Sequence, residues 1–305
     1  MKEFDMADER RFAGIEAGGT KFVCALATAD GRILARERIG TAHPALTLSQ
    51  TLEFFGRAGR EHGAPAAAGI ASFGPLDLDP ASPAYGSIVS TPKPGWSDVN
   101  ILAAVRDGLG VPTRIDTDVN AAALAEGRHG AAKGCHTHAY VTVGTGIGVG
   151  LVAGGKSLIA RGHAEMGHIP VPRAPDDDFA GVCSYHGDCL EGMASGPAMA
   201  ARWGCPAQDL APDHPAWAMQ AHYVAALCCT LISTVRPDRI VIGGGVFEQP
   251  GLHAHVRRVL EPMLAGYGLA PHEGDLDTLI VAPGLVETPP GLLGALELAR
   301  QAADG

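Results

Sequence analysis

Apolar and polar residues alternate most regularly near the start of the chain, and this pattern predicts β structure. The alternation runs from Ala13 to Ala17 and from Phe22 to Thr28, and it resumes in the segment RILARERI after a turn at Asp30-Gly31. A period of two places every second side chain on the same face of a strand. Residues 12–40 are therefore predicted to form consecutive antiparallel strands.

The order of elements then repeats along the chain. Residues 46–62 carry apolar positions at helical spacing, and the strand-like run AAAGIASFG and a turn-rich segment follow. From Arg114 a second series runs through a strand end (TRIDTDV), a helix (AAALAEGRHGAA), hairpins (HAYVTVGTGIGVGLVAGGKSLI), a helix near 215–235 and the strand RIVIGGGV. Similar architecture twice in one chain predicts a duplicated α/β fold.

The length supports two domains or one large α/β domain. The chain has 305 residues and a mass of 31.3 kDa, which exceeds what one hydrophobic core usually serves. We expect a smaller N-terminal α/β domain over residues 10–117, completed by a C-terminal helix at 291–303, and a larger α/β domain over 118–290.

Charge and composition narrow the class of partner. The 23 basic and 33 acidic residues give a formal charge of −10, the wrong sign for a protein that binds nucleic-acid phosphates or an anionic membrane surface. A small-molecule partner is expected instead. The N-terminus carries charges where a secretory signal needs an apolar run, which favours a cytoplasmic location. The uncharged stretches 134–155 and 214–235 are interpreted as buried strands and a buried helix, not as membrane spans.

Three glycine clusters at strand junctions indicate a close backbone approach to a ligand, for which phosphate is the natural candidate. They lie between predicted strands or directly after one: Gly18, Gly19, Thr20 and Lys21; Gly144, Thr145 and Gly146; and Gly243, Gly244 and Gly245. Three tight turns without a ligand are the alternative. The segment GLVAGGKS at 150–157 matches the letters of a P-loop. Glycines and prolines after it oppose the required helix, so 153–156 is predicted to be a hairpin turn.

Asp118 is a candidate general base. It lies where a β-rich segment ends and an Ala-rich helix begins, which exposes a side chain at the edge of a sheet. A carboxylate there can accept the proton of an attacking hydroxyl beside a transferred phosphoryl group. The alternative is that Asp118 caps the helix, a role that Asp116 or Asn120 can share.

A cysteine and histidine cluster predicts a structural zinc site. Its four ligands are His168, Cys183, His186 and Cys189, the last three within the loop CSYHGDC. Two sulfurs and two imidazoles fill a tetrahedral site and leave no position for a catalytic water; unligated surface residues are the alternative. Glu165 and Glu191 accompany these ligands, and carboxylates suit sugar hydroxyls, although solvated surface glutamates remain the other interpretation.

The motifs together resemble the ROK family of sugar kinases, in particular its bacterial fructokinase branch. The similarity extends from Gly14 to about Ala299, and the motifs occur in the family's order: GIEAGGTK, STPKPGW, DTDVNAAALAE, YVTVGTGIGVG, HAEMGHI, CSYHGDCLEGMASGP and IVIGGGV. The resemblance implies an actin-like ATPase fold of the ribonuclease H type, with two domains and nucleotide and sugar meeting in a central cleft.

The resemblance also implies roles for individual residues. Asp118 is implied as the catalytic base, and the four Cys and His residues as zinc ligands. The implied sugar contacts are Glu165, His168, Glu191 and Thr117. The implied nucleotide contacts are Gly18, Gly19, Thr20, Lys21, Gly144, Thr145, Gly146, Pro197, Gly243, Gly244, Gly245, Val246 and Phe247.

Two departures from the family pattern bear on the substrate. Many relatives have Asp at Glu16 and Asn at Thr117; the latter change removes an amide suited to a pyranose hydroxyl and weakens a glucokinase interpretation. The expectation is a cytoplasmic, homodimeric kinase that uses ATP with Mg²⁺ and converts D-fructose to D-fructose 6-phosphate. Glucose, mannose or an N-acetylhexosamine is the alternative acceptor. A non-catalytic sugar-sensing regulator is disfavoured, because too few residues precede Gly14 for a helix-turn-helix domain.

Overall fold

The computed structural model describes residues 8–91, 93–159, 162–266, 276–285 and 288–305. By their internal contacts the described residues form two compact units. Among the described residues, unit 1 comprises those within 8–125, 159–163 and 288–305, and unit 2 comprises those within 126–158 and 164–285. The expected domain boundary at 117/118 stays a prediction; the division by contacts falls at 125/126.

Unit 1 contains a β-sheet, and helices lie between several of its strands along the chain. Its elements in chain order are β1 (Arg11–Ala17), β2 (Lys21–Thr28), β3 (Ile33–Gly40), α1 (Pro44–His62), β4 (Ala67–Ser72), β5 (Ser87–Ile88), β6 (Val99–Asn100), α2 (Ile101–Leu109), β7 (Thr113–Thr117) and α3 (Asp118–His129), whose last residues belong to unit 2. The predicted antiparallel strands of residues 12–40 are confirmed as β1 to β3.

Unit 2 contains a second sheet and its covering helices. Its elements are β8 (Thr137–Val143), β9 (Ile147–Ala153), β10 (Lys156–Ser157), α4 (Leu190–Ala194), α5 (Gly196–Trp203), α6 (Ala216–Thr234), β11 (Arg239–Gly243), α7 (Leu252–Leu264), α8 (Leu276–Leu279) and β12 (Ile280–Val281). The chain then ends in unit 1 with α9 (Pro290–Ala303). The hairpin turn predicted at 153–156 is confirmed, because β9 ends at Ala153 and β10 begins at Lys156.

The two main sheets share one topology, which is the structural form of the predicted duplication. Their strand orders are β3-β2-β1-β4-β7 and β10-β9-β8-β11-β12. In each sheet the central strand pairs antiparallel with the next strand in the chain and parallel with a later one. The expected α/β class is thereby confirmed, since parallel neighbours require connections that cross over the sheet.

Small residues allow α9 to pack closely on the sheet of unit 1. A Cβ atom on Gly69 of β4 would lie 1.9 Å from the carbonyl oxygen of Ala295, and one on Gly14 of β1 would lie 2.8 Å from Leu296 Cγ. Side chains at these positions would force the helix away from the sheet. The glycines therefore place α9 directly against β1 and β4.

Helix α6 forms the centre of the core of unit 2. Among the described residues it is the one helix long and apolar enough to cross a membrane, with a mean hydropathy of 1.2. However, 67% of that apolar window is buried inside the protein. Tyr223, Leu227 and Leu231 are fully buried against the second sheet's hydrophobic cluster. The helix is accounted for by core packing, as the sequence predicted for the stretch 214–235.

Candidate active site

The carboxyl ends of three parallel strands bring the first predicted site residues to one edge of the unit 1 sheet. In the register of β1, β4 and β7, Ala17 pairs with Ser72 and Ser72 pairs with Thr117. The loop that follows β1 and the helix that follows β7 therefore leave the sheet at the same edge. That edge carries Gly18 to Lys21 from one connection and Asp118 from the other.

The start of α3 determines what Asp118 is able to do. The Oγ1 atom of Thr117 accepts a hydrogen bond from the backbone N–H of Asn120 at 3.2 Å, which is the geometry of an N-cap. Asp118 is the first helical residue and is exposed, and its Oδ1 accepts the N–H of Val119 at 2.8 Å. The N-cap is thus Thr117.

Thr117 takes the place of the three capping residues that the sequence suggested, Asp118, Asp116 and Asn120. An N-cap must precede the first helical residue, and α3 begins at Asp118. Asp116 is buried, and its Oδ1 accepts bonds from the N–H of Thr117 at 2.8 Å and from Nδ2 of Asn120 at 2.7 Å. Asp116 and Asn120 therefore fix the turn on which Asp118 is displayed.

Thr41 stabilises the turn Gly18 to Lys21 through hydrogen bonds. The N–H of Gly18 donates to the carbonyl of Lys21 at 3.0 Å, and Thr41 bonds to both arms of the turn, through its Oγ1 to Gly18 O at 2.7 Å and through its N–H to Thr20 O at 2.9 Å. Gly19, Thr20 and Lys21 are exposed. The turn thus carries a hydroxyl and an ammonium group at the same sheet edge as Asp118, and both groups suit a phosphate site.

Glu16 is a functional candidate that was not among the predicted site residues and that differs from the residue many relatives have at this position. Burial raises the pKa of Glu16, the charge of Asp118 raises it further, and Lys21 and Arg36 oppose these effects. Its Oε1 also lies against the start of α9, 2.7 Å from where a Cβ of Gly291 would be. A carboxylate within a buried strand was the available signal, because charged residues are seldom buried without a specific partner.

The four predicted metal ligands come together in unit 2. The ligand atoms of His168, Cys183, His186 and Cys189 all lie within 4.8 Å of one another. His168 Nδ1 is 3.5 Å from Cys189 Sγ and 3.6 Å from Cys183 Sγ, and Cys183 Sγ is 3.8 Å from His186 Nδ1. A tetrahedron with Zn–S of about 2.3 Å and Zn–N of about 2.05 Å has S···N edges of about 3.6 Å. The donor set and its spacing therefore fit zinc.

Backbone geometry explains why the loop closes around this cluster. Cys183 and Gly187 exchange backbone hydrogen bonds of 3.1 and 2.9 Å, which form a tight turn. A Cβ on Gly192 would lie 1.9 Å from the Gly187 carbonyl oxygen, so only glycine permits α4 to approach the turn. Burial would raise the pKa of the Cys183 thiol, but the backbone N–H groups of His186 and Tyr185 bring this pKa below its ordinary value. A lowered thiol pKa favours the thiolate, the metal-binding form, at Cys183. Burial and the neighbouring Cys183 raise the pKa of the Cys189 thiol instead, so the fit to a metal rests on the geometry of the four donors.

Glu191 connects the cluster to a glycine loop. Its Oε1 lies 3.8 Å from His168 Nε2, the ring nitrogen that faces away from the cysteines. Its Oε2 accepts the backbone N–H of Ile147 at 2.9 Å, directly after Gly146. Glu165 is exposed just before the short helical turn Met166–His168, and its carbonyl accepts the N–H of His168 at 3.0 Å. His168 therefore adjoins both predicted sugar-binding glutamates.

The remaining predicted nucleotide residues meet at one edge of the unit 2 sheet. Because β8 and β11 are parallel and Thr142 pairs with Gly243, the loops after both strands leave at the same edge. The N–H of Gly196 donates to Gly144 O at 2.7 Å, and a Cβ on Gly196 would lie 3.9 Å from Val246 Cγ2. Ser195 caps α5 by accepting the N–H of Ala198 at 3.3 Å, and Pro197 lies in the first turn. The three loops form one group in unit 2, whereas Gly18 to Lys21 belong to unit 1.

Comparison with known proteins places the whole chain in one family. The ROK family model matches residues 12–302. The chain belongs to the ROK family. It is 44% identical to the fructokinase of Zymomonas mobilis over 300 residues, which covers 97% of this chain and 98% of that relative.

Solved ROK structures share the fold. The ROK hexokinase of Thermus thermophilus superposes with a TM-score of 0.80 at 28% identity, and covers 97% of this chain and 100% of its own. A ROK family glucokinase from Streptomyces griseus, in complex with glucose and AMPPNP, gives 0.69 at 26% identity, with 95% and 99% covered. The predicted actin-like ATPase fold is confirmed.

Proposed function

We propose that this protein transfers the γ-phosphoryl group of ATP to D-fructose and forms D-fructose 6-phosphate. Membership of the ROK family and the 44% identity to a fructokinase support this activity. The observation that carries it lies at one edge of the unit 1 sheet, where the exposed carboxylate of Asp118 follows β7 and the exposed Gly18 to Lys21 turn follows β1. Thr117 caps α3, and Asp118 is exposed in the first turn of that helix.

Asp118 acts as the general base of this reaction. Its carboxylate accepts the proton of the sugar hydroxyl as that oxygen attacks the γ-phosphorus. The new O–P bond forms while the bond to the β-phosphate oxygen breaks, and ADP leaves with that electron pair. Asp118 later returns the proton to water. Placement at the start of a rigid helix, fixed by buried Asp116 and Asn120, gives the carboxylate a defined position.

The sugar is held by groups that pair with hydroxyls. Glu165, Glu191 and His168 are the proposed contacts in unit 2, and Thr117 is the proposed contact in unit 1. A hydroxyl has one donor and two acceptor sites, so the cap made by Thr117 leaves capacity for a sugar hydroxyl. Glu191 similarly has lone pairs beyond those that face Ile147 and His168.

The nucleotide is held by glycine-rich turns. Gly18 to Lys21 supply one of them; Gly144 to Gly146, Pro197 and Gly243 to Phe247 supply the others. A Cβ on Gly19, Gly144 or Gly245 would meet no atom within 4 Å, whereas Gly18 and Gly244 lie close to neighbouring backbone. For example, a Cβ on Gly244 would lie 2.4 Å from Val143 O. Magnesium bound with ATP neutralises charge on the phosphate oxygens.

The Cys and His cluster holds a structural zinc ion. Four protein donors would complete a tetrahedral site, so zinc held there would stabilise the loop of Cys183 to Cys189 and orient His168, with no position left for a catalytic water. None of the seven cysteines, all within the described residues, forms a disulfide. Reduced thiols and ATP as substrate favour a cytoplasmic enzyme.

We also retain the homodimer as part of the proposal. It rests on the resemblance to the family and is tested by light scattering at micromolar concentration. A mass of one chain, near 31.3 kDa, would remove it.

Sugar-dependent ADP release across a panel of hexoses tests the proposed activity. We expect fructose to give the highest kcat/KM, with slower turnover of glucose, mannose and N-acetylhexosamines. A preference for glucose would assign the protein to the alternative acceptor. Binding of a sugar without any turnover would support the sugar-sensing regulator and contradict the kinase.

A further inference from the structure

Glu191 lies between the predicted metal cluster and the Gly144 to Gly146 loop. It is the second residue of α4, directly after Cys189 and Leu190, and its side chain is 28% exposed. One carboxylate oxygen faces His168 of the metal cluster, and the other accepts the backbone N–H of Ile147, the first residue of β9, which directly follows the Gly144 to Gly146 loop. This carboxylate therefore touches both the predicted zinc site and a predicted nucleotide loop.

On the side of the cluster, Glu191 is placed to orient His168. The imidazole directs Nδ1 toward Cys183 and Cys189 at 3.6 and 3.5 Å, so Nε2 is the nitrogen that remains for an outer partner. Glu191 Oε1 lies 3.8 Å from that nitrogen. This separation is too long for a hydrogen bond, but a carboxylate charge that faces the second nitrogen of a metal-binding histidine favours the tautomer with its proton there, and so favours one ring orientation.

On the side of the loop, Glu191 fixes the end of a turn. Its bond to the N–H of Ile147 measures 2.9 Å, and a Cβ on Gly146 would lie 2.6 Å from the same oxygen. The turn itself is closed by the N–H of Gly144, which donates to Gly146 O at 2.9 Å. Gly144 also accepts the first N–H of α5 through Gly196 at 2.7 Å. A shift of the Glu191 carboxylate is therefore expected to move the glycine loop, and with it the start of α5, which is hydrogen-bonded to Gly144.

We propose that Glu191 is a positioning residue that couples the metal cluster to the nucleotide loop, so that metal occupancy sets nucleotide affinity as well as sugar affinity. This inference rests on the proposed function, because it takes the Gly144 to Gly146 loop as a nucleotide contact. A residue that only bound sugar would leave nucleotide affinity independent of the metal. Coupling through Glu191 makes the two binding equilibria reciprocal.

A thermodynamic cycle tests the coupling. The dissociation constant of a non-hydrolysable ATP analogue is measured by calorimetry without sugar, on zinc-loaded and chelator-stripped protein. For the wild type we expect stripping to weaken the analogue roughly 10-fold, as expected for the loss of one charge-assisted hydrogen bond. The zinc-loaded Glu191→Gln protein should already bind the analogue more weakly by about the same factor, and stripping should change its affinity little. The reason is that glutamine has a single acceptor oxygen, which cannot face both Ile147 and His168.

Zinc release provides a second readout that does not depend on activity. Transfer of zinc to a chromogenic chelator should be roughly 10- to 100-fold faster for Glu191→Gln, the usual effect of losing an outer partner of a ligand. Glu165→Gln is the matched control, since Glu165 is the other proposed sugar-binding glutamate and precedes the same short helical turn. It should weaken sugar binding but keep wild-type zinc release and the wild-type effect of stripping on nucleotide affinity.

The outcomes separate the inference from the proposed function. Wild-type nucleotide affinity that is unchanged by stripping, or a Glu191→Gln protein that keeps the wild-type response, overturns the coupling. A purified protein that takes up no zinc overturns it as well. A wild type that binds no ATP analogue in either form contradicts the proposed kinase instead. The stripped wild type carries the test if Glu191→Gln does not fold.

Discussion

Thr117 and Asn120 are joined by the hydrogen bond that begins α3, from the backbone N–H of Asn120 to Oγ1 of Thr117 at 3.2 Å. This relationship separates two roles that were open for the neighbouring Asp118. The cap stabilises the helix, and the next residue presents an exposed carboxylate in its first turn. Stability and turnover should therefore respond to different substitutions.

Thr117→Val should lower the free energy of unfolding by about 1 kcal/mol, because it removes the cap while it keeps the shape of the side chain. Asp118→Asn should change this free energy by less than about 0.5 kcal/mol. Urea unfolding followed by circular dichroism measures both. If Asp118→Asn is the more costly of the two, the assignment of the cap to Thr117 is wrong.

Removal of the metal should destabilise the loop that carries Cys183 and Cys189. Elemental analysis of protein purified without chelator should give about one zinc per chain. Cys189→Ser should lose the ion and lower sugar affinity, since a structural site contributes folding free energy and orients His168. Cys135→Ser, outside the cluster, is the control and should keep its zinc. Absence of zinc from the wild type would contradict the claim.

Glu126 should be essential for the stability of unit 2. It is fully buried, and its carboxylate accepts three backbone N–H groups: Ala131 at 2.6 Å, Gly284 at 3.0 Å and Leu285 at 3.2 Å. Glu126→Gln places an amide donor against these donors and should cost roughly 2–4 kcal/mol. The exposed Glu261→Gln should change stability by less than about 0.5 kcal/mol. Equal unfolding midpoints for the two variants would show that the buried carboxylate contributes little.

Stability should fall below neutral pH partly because of His253. Its Nε2 hydrogen-bonds the carbonyl of Ile242 at 2.8 Å, and its ring packs edge-on against Phe247 at 4.9 Å. Burial lowers the pKa of His253, the Ile242 carbonyl opposes this, and Arg257 lowers it further. The unfolded chain therefore binds a proton first as pH drops below about 6.5, and the free energy of unfolding declines.

His253→Gln tests this pH dependence, since glutamine retains a donor for Ile242 but does not titrate. The slope of unfolding free energy against pH between 7 and 5.5 should be smaller in the variant. Some slope should remain, because burial also lowers the pKa of His255. An unchanged slope would mean that His253 does not contribute.

The sequence predicted the elements whose local pattern is strong. Alternation identified β1 to β3, and helical spacing identified α1 over nearly its full length. In contrast, α2 (Ile101–Leu109) and α7 (Leu252–Leu264) were not predicted. Each helix lies beside a turn-rich or polar stretch, which weakens its local helical pattern. Its buried apolar residues pack against the tertiary core, and the sequence pattern alone does not show that packing.

In the candidate site, too, features with a strong local pattern were predicted, and features that depend on distant contacts were not. Asp118 was predicted from its place between a strand and a helix. The four cluster residues were predicted from their ligand types and spacing, and the structure places their ligand atoms within 4.8 Å of one another. The cap at Thr117 was missed, because the first helical residue is uncertain by a residue or two from sequence. The contacts of Glu191 with Ile147 and of Glu126 with Leu285 join residues 44 and 159 positions apart, and no local pattern encodes such distant pairs.

The most direct test of the account is fructose-dependent ADP release by Asp118→Asn beside the wild type. Asparagine keeps the size of the side chain but cannot accept the sugar proton, so turnover should fall by roughly 10² to 10⁴. Fructose binding, measured by calorimetry, should change much less, and the exposed Asp107→Asn should retain wild-type turnover. A folded Asp118→Asn protein that retains more than about a tenth of wild-type turnover would contradict the account, because that loss is smaller than base catalysis contributes.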